Sequence, residues 1–187
     1  MNLTILRPRF IVGPGRLGLL TILFDWLSRG KNIYTIGSGA NRFQMVSVYD
    51  LAPACLLAAG KGGCGVYNIG ADNVPTVREL LSALAGHAGT NSRVIPVNAR
   101  LAKFLLIALD RLNLAPLGTE HYFIADKDYI LDTSKAKVEL GWLPEHGQIE
   151  MMNSAYDWYI AHREELRAEI KADFPQEKIL KVLKYLS

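Results

Sequence analysis

The segment LTILRPRFIV, residues 3 to 12, constrains this chain more than any other feature. It is dense in β-branched and apolar side chains and is closed by Gly13-Pro14-Gly15, so it predicts one largely buried strand that ends in a turn. The period then changes. Leu20, Leu23, Phe24 and Leu27 recur at helical spacing, with Arg29 in the last turn and Gly30 where a left-handed cap belongs, which predicts a helix over 19–29.

The same alternation continues along the chain. IYTIG (33–37) and FQMVSV (43–48) read as short strands around the loop Ser38-Gly39-Ala40-Asn41-Arg42, and Asp50 is placed to cap a helix through Ala59, with Pro53 in its first turn. The glycine cluster 60–65 feeds a strand, VYNIG (66–70). Thr76 and Glu79 have capping-box spacing ahead of a helix over 77–88, and VIPV (94–97) is another strand. An apolar helix over 101–113, a strand YILD (129–132), a short helix over 134–140, the turn LGWLPEHG and a helix from about 148 to 172 complete the reading. Strands alternating with helices define an α/β class, although the strands are few and short for a complete doubly wound sheet. We divide the chain into 1–162 and a helical tail, 163–187.

Composition narrows the function classes. A chain of 187 residues, 50% hydrophobic and 21% charged, buries roughly 70% of its unfolded surface in one core, which excludes disorder and collagen-like fibre. Lys plus Arg, 21, less Asp plus Glu, 18, leaves a net charge of +3. With no basic cluster before the tail, no nucleic-acid surface is expected. Cys55 and Cys64 form one bridge at most, no Cys/His group has metal-ligand spacing, and a reducing cytoplasm is expected. Cys64 has only Lys61 nearby and reads as inert. Residues 101 to 117 carry Lys103, Asp110 and Arg111 and close at Pro116, too charged to span a bilayer. Glu120 beside His121 is a poor acid/base pair, because neighbours in sequence seldom face one another. The basic amphipathic tail KILKVLKYL is expected to pack on its own domain rather than on a membrane.

Gly13-Pro14-Gly15-Arg16-Leu17-Gly18 matches G-x-G-x-x-G between a predicted strand and a predicted helix, the context of a dinucleotide fingerprint. Three features oppose that use. Pro14 removes an N–H from the turn. The next strand ends in Gly-Ser-Gly with no acidic residue for a ribose, Arg42 being the candidate for a 2′-phosphate. Arg7, Pro8 and Arg9 suit a central first strand poorly. A plain strand-to-helix turn is favoured, with an NADP-binding domain built on Gly13 to Gly18 as the rival.

Four blocks, in order, carry a resemblance. They are Leu6-Arg7-Pro8 with Val12-Gly13-Pro14-Gly15; Gly37-Ser38-Gly39 with Arg42-Phe43 and Val46-Ser47-Val48-Tyr49-Asp50-Leu51-Ala52; Val66-Tyr67-Asn68-Ile69-Gly70; and Asp132-Thr133-Ser134-Lys135-Ala136 with Glu139-Leu140-Gly141-Trp142 and Pro144. Together, over residues 3 to 162, they resemble the C-terminal half of the extended short-chain dehydrogenase/reductase family, the NAD-dependent epimerase/dehydratases. The resemblance implies a Rossmann-type fold with a small substrate-binding subdomain. It also implies NAD or NADP as cofactor, and oxidoreductase, isomerase or lyase chemistry by hydride transfer at a hydroxyl or keto carbon, usually of a nucleotide-sugar. The family's Tyr-x-x-x-Lys pair does not occur after any of the eight tyrosines, so no catalytic residue is assigned. The chain is read as the substrate-binding portion, inactive alone, working as a homodimer or with an N-terminal half; the rival is a non-catalytic ligand- or partner-binding module.

Residue by residue, the resemblance implies cofactor contacts at Pro8, Phe10 and Ile11, for which an ordinary core strand is an equal reading. It implies substrate-phosphate contact at Arg42, with weaker support for Arg16 at the mouth of the same cleft. A second phosphate-binding arginine, common before the Asp-Thr-Ser-Lys block, is missing: none lies between Arg111 and Pro144. That departure, with the apolar segment 101–117, points toward the branch that handles sterol- or flavonoid-like substrates.

Overall fold

The computed structural model describes residues 3–60, 64–100 and 127–173, with side chains through residue 166. The expected helix over 101–113, the Glu120-His121 pair, Lys61 and the tail from 178 lie outside the described residues. Among the described residues six short strands pair in parallel, two by two. Strand β1 (Thr4–Pro8) runs beside β5 (Gly65–Ile69), from Thr4 opposite Gly65 to Pro8 opposite Ile69. Strand β2 (Ile11–Val12) pairs with β4 (Val46–Ser47), and β3 (Ile33–Ile36) with β6 (Val94–Val97). Parallel pairing requires crossovers. They are supplied by α1 (Leu20–Ser28), α2 (Val48–Gly60) and α3 (Val77–His87), while α4 (Gln148–Asp173) follows the last turn and passes through residue 162.

The expected single strand over 3–12 is two strands. Pro8 has no N–H to continue the ladder, so the chain leaves β5 after Pro8 and steps across at Arg9 and Phe10. It then resumes at Ile11 against β4, and the Val46 N–H donates to the Phe10 carbonyl at 2.9 Å. The expected strand 43–48 shrinks to Val46–Ser47 because the backbone before it bonds to loops: Gln44 N–H donates to Tyr129 O at 3.0 Å, and Met45 O accepts from Ala71 N at 2.8 Å. YILD forms no strand, only an isolated bridge between Phe43 and Tyr129, since the Leu131 N–H is taken by the Gln44 side-chain oxygen at 2.8 Å. The segment over 134–140 is helical, but Ala136–Leu140 is wound as a π turn, stopped by Gly141 at φ 69°.

Two apolar clusters hold these elements. In the first, Leu20, Phe24 and Leu27 of α1 face Leu80 and Leu84 of α3 and Met151, Met152, Ala155, Tyr156 and Tyr159 of α4. The predicted α1 stripe is therefore the buried face. The Phe24 ring meets Tyr156 edge-on at 5.5 Å, and burying a side chain of this size contributes about 1.5–3 kcal/mol. The second cluster joins Val46, Ala54 and Ala58 to Tyr67, Ile69, Ala136, Leu140 and Trp142. The capping box at Thr76 forms as the spacing predicted: Glu79 N–H donates to the Thr76 hydroxyl, and Thr76 N–H to the Glu79 carboxylate at 2.8 Å.

Candidate functional site

In open parallel sheets ligands sit beyond the carboxyl ends of the strands. Beyond β1 that position belongs to Arg9 and Phe10, at the step forced by Pro8. The Phe10 ring lies 6.0 Å from Phe43, edge-on, and Phe43 lies 6.4 Å from Tyr129. Arg9 places its guanidinium carbon 3.4 Å from the centre of the Tyr129 ring and 5.7 Å from that of Phe43. Pro8, Phe10 and Ile11 are all half-buried. Phe10 packs on the first core cluster and Ile11 on the second, so both have structural work in the positions the resemblance assigned to cofactor contact.

Arg42 ends the loop after β3. Gly39, at φ +71°, is held so close to Arg78 that a side chain would press on it. The loop carbonyls of Gly39 and Asn41 accept from Arg78 N and Val77 N, at 2.9 and 2.8 Å. The first free N–H groups of α3 thus fix the loop. The Arg42 backbone is pinned on its other side, its N–H donating to Asp128 Oδ1 and its carbonyl accepting from Tyr129 N, both at 2.7 Å. Its side chain is exposed and forms no ion pair among the described residues. Hydrogen bonds from Thr76 backbone and side chain hold Glu79 below the usual carboxylate range; burial opposes this and the Arg42 charge adds to it. A positioned, exposed guanidinium outside any ion pair among the described residues is suited to an anionic ligand.

Arg16 lies elsewhere, exposed on the glycine turn, where its N–H donates to Gly13 O at 2.9 Å. The turn does not fit a pyrophosphate. Such a cradle needs free N–H groups at the helix start, yet Leu20, Thr21 and Ile22 donate to the carbonyls of Leu17, Gly18 and Leu19 at 3.0, 3.3 and 3.2 Å. Gly13 is required for a different reason: a Cβ there would collide with the Val48 side chain. The turn is a packing joint between α1 and the start of α2, and no cofactor step is routed through it.

Asp50 does not cap its helix. Because α2 begins at Val48, Asp50 falls inside the first turn, 3% exposed, and reaches across to the turn before α4. It accepts from Glu145 N at 3.0 Å, His146 N at 3.2 Å and His146 Nδ1 at 2.8 Å, and its carbonyl accepts from Trp142 Nε1 at 2.9 Å. The hydrogen bond to Asp50 raises the His146 pKa; burial opposes it, and the charges of Asp50, Glu150 and Glu145 add to the rise. Two glutamines escaped sequence reasoning. Gln44, 2% exposed, donates to Ala71 O and accepts from Leu131 N. Gln148, 2% exposed, accepts from Met45 N and donates to Phe43 O. The one available signal was a polar residue inside the apolar run FQMV. An open cavity of about 700 Å³ beside the start of α4, lined by Asn73, Pro75, Gln148 and Asn153 among others, touches none of the expected site residues.

The described elements therefore define a Rossmann-type α/β fold of parallel pairs, with its candidate groups at the strand ends. No protein-family model matches the chain. It is 39% identical over 166 residues to the uncharacterized protein y4nG of Sinorhizobium fredii, a match covering 89% of this chain and 42% of that protein. The UDP-glucose 4-epimerase of Thermotoga maritima, solved with UDP-glucose, superposes with a TM-score of 0.63 at 26% identity, over 86% of this chain and 46% of that one. The dTDP-glucose 4,6-dehydratase of Bacillus anthracis, solved with NAD, superposes at 0.59 and 21% identity, over 86% and 45%. The chain thus spans less than half the length of the proteins it matches. Its structural neighbours are NAD-dependent epimerases and dehydratases of the extended short-chain dehydrogenase/reductase family, and the chain is similar to the C-terminal half of those proteins.

Proposed function

We propose that this chain supplies the substrate-binding region of an NAD(P)-dependent nucleotide-sugar epimerase or dehydratase, contributing Arg42 to the substrate's phosphates. The hydride chemistry belongs to groups outside this sequence, which has no Tyr-x-x-x-Lys and in which the N–H groups of Leu20, Thr21 and Ile22, at the helix start after the glycine turn, are already bonded. The observation that carries the reading is the Arg42 loop, fixed on both sides while its exposed guanidinium forms no ion pair among the described residues.

A complementary half is supported by β1. Leu3 is 54% exposed, and Ile5 and Val66, 43% and 38% exposed, stand opposite one another in the β1–β5 register. Parallel strands are ordinarily covered on both faces, so this apolar row suits the nucleotide-binding half. Pro8 and the backbone at Phe10 would meet the cofactor from that side.

Calorimetric titration with UDP-glucose and a fluorescence titration with NADPH test this. Saturable UDP-glucose binding weakened at least tenfold by Arg42→Gln is expected, with no NADPH capture and no turnover by the chain alone. Turnover, tight NADPH binding, or sugar-nucleotide affinity indifferent to Arg42 would overturn it.

A further inference from the structure

The fold sets a carboxylate beside Arg42, the wrong sign for holding a phosphate. Arg42 forms an isolated antiparallel bridge with Thr76, flanked by the hydrogen bond from Val77 N to Asn41 O at 2.8 Å. Residues directly opposed in such a pair send their side chains to one face. On that face the Thr76 hydroxyl donates to Glu79 Oε2 at 2.8 Å, and the Thr76 N–H donates to the same oxygen at 2.8 Å. Glu79 is thereby fixed on the Arg42 side of α3. The Thr76 backbone N–H, then its hydroxyl, are the main causes that keep Glu79 ionised, with burial opposing and the Arg42 charge adding to them. Asp128, a second carboxylate at this loop, is spent on the Arg42 backbone N–H at 2.7 Å. The side chains of Arg42 and Glu79 are both exposed, so a ligand that reaches one meets the other. A capping box works equally with Glu or Gln at this position. The charge of Glu79 is therefore not needed for the cap.

We propose that Glu79 sets the charge specificity of the Arg42 site: its fixed carboxylate repels the second negative charge of a terminal phosphate, and so favours a diphosphate capped at both ends, each of whose phosphates carries one. This rests on the nucleotide-sugar reading above and deepens it by naming the phosphate form that the site accepts. A terminal phosphate carries about 1.5 to 2 negative charges at pH 7. Beside an exposed carboxylate each extra charge costs on the order of threefold in affinity at low salt, and salt screens the effect. The sugar end of a nucleotide-sugar removes that extra charge. Free nucleoside diphosphate keeps it and is disfavoured.

The test is calorimetric titration of the full chain at pH 8 and low salt, with UDP, its methyl ester on the terminal phosphate, and UDP-glucose as probes. The ester has the same nucleotide as UDP and one charge less. Glu79→Gln keeps the capping oxygen and removes the charge, so its melting temperature is expected to stay within error of wild type. Wild type is expected to bind UDP no tighter than the ester, and Glu79→Gln to strengthen UDP about threefold more than it strengthens the ester, a difference that added NaCl erases. Wild type binding UDP several-fold tighter than the ester overturns the proposal. So does an equal change for both probes, or no change, in Glu79→Gln; a lowered melting temperature with the preference unmoved marks a purely structural residue and overturns it too. In each of these cases the nucleotide-sugar reading stands as long as Arg42→Gln weakens UDP-glucose. If UDP-glucose binding is indifferent to Arg42, that reading falls and the proposal falls with it. Should Glu79→Gln fail to fold, the wild-type comparison of UDP with its ester decides the matter alone.

Discussion

Replacing Asp50 by Asn should uncouple the turn at residues 145–146 from the second core cluster, and the loss should depend on pH. The carboxylate receives three N–H donors, from Glu145 N, His146 N and His146 Nδ1. Hydrogen bonds to a charged group contribute about 1.5–3 kcal/mol, against about 0.5–1.5 for neutral pairs. An amide of the same shape keeps one oxygen and turns an NH₂ toward the remaining donors. His146 is 31% exposed, so its share is discounted for solvent screening, and the net cost is roughly 2 kcal/mol. With a urea slope of about 2 kcal/mol per molar, the midpoint falls by about 1 M. The His146 pKa is raised from its ordinary 6.5 in the folded protein. Its contribution is therefore complete below pH 6.5 and fades as pH climbs through the raised value. Urea melts of wild type and His146→Gln at pH 5.5 and pH 8.5 should show a stability gap that is wider at the lower pH, and in an Asp50→Asn background that narrowing should vanish. A gap equally wide at both pH values, or an Asp50→Asn midpoint within error of wild type, would refute the clamp.

Thr76→Ala removes the hydroxyl that accepts from Glu79 N at 3.2 Å and should cost about 1 kcal/mol in chemical denaturation, with helix content otherwise intact. Gly13→Ala places a Cβ against Val48 and should destabilise by about 1–3 kcal/mol; adding Val48→Ala should recover most of the loss in thermal melting, whereas a cofactor role for Gly13 predicts no such rescue.

Elements whose boundaries follow from local chemistry were legible in the chain alone. The α1 stripe, the Thr76 capping box and strands β3, β5 and β6 sit within a residue or two of their predicted ranges, because each depends on periodicity, a cap or a glycine stop only residues away. The readings that moved did so through distant partners. Asp50 resembles a helix cap until the turn 96 residues further on presents its N–H groups. YILD has strand composition, yet the side chain of Gln44, 87 residues away, takes the Leu131 N–H.

The candidate site divides in the same manner. Arg42 stands in a recognisable block, whereas Arg9 reads as an awkward charge in a strand until Tyr129, 120 residues further on, lays its ring against it. Period and turn chemistry act over a few residues, so the amino-acid sequence by itself determined an α/β chain, and its four ordered blocks carried the resemblance to the epimerase/dehydratases. Which side chains answer one another's charges and N–H groups is settled by long-range contact. Tertiary structure alone therefore decided that the glycine turn is a joint, that Asp50 is a clamp and that Tyr129 meets Arg9 with its ring and Arg42 with its backbone.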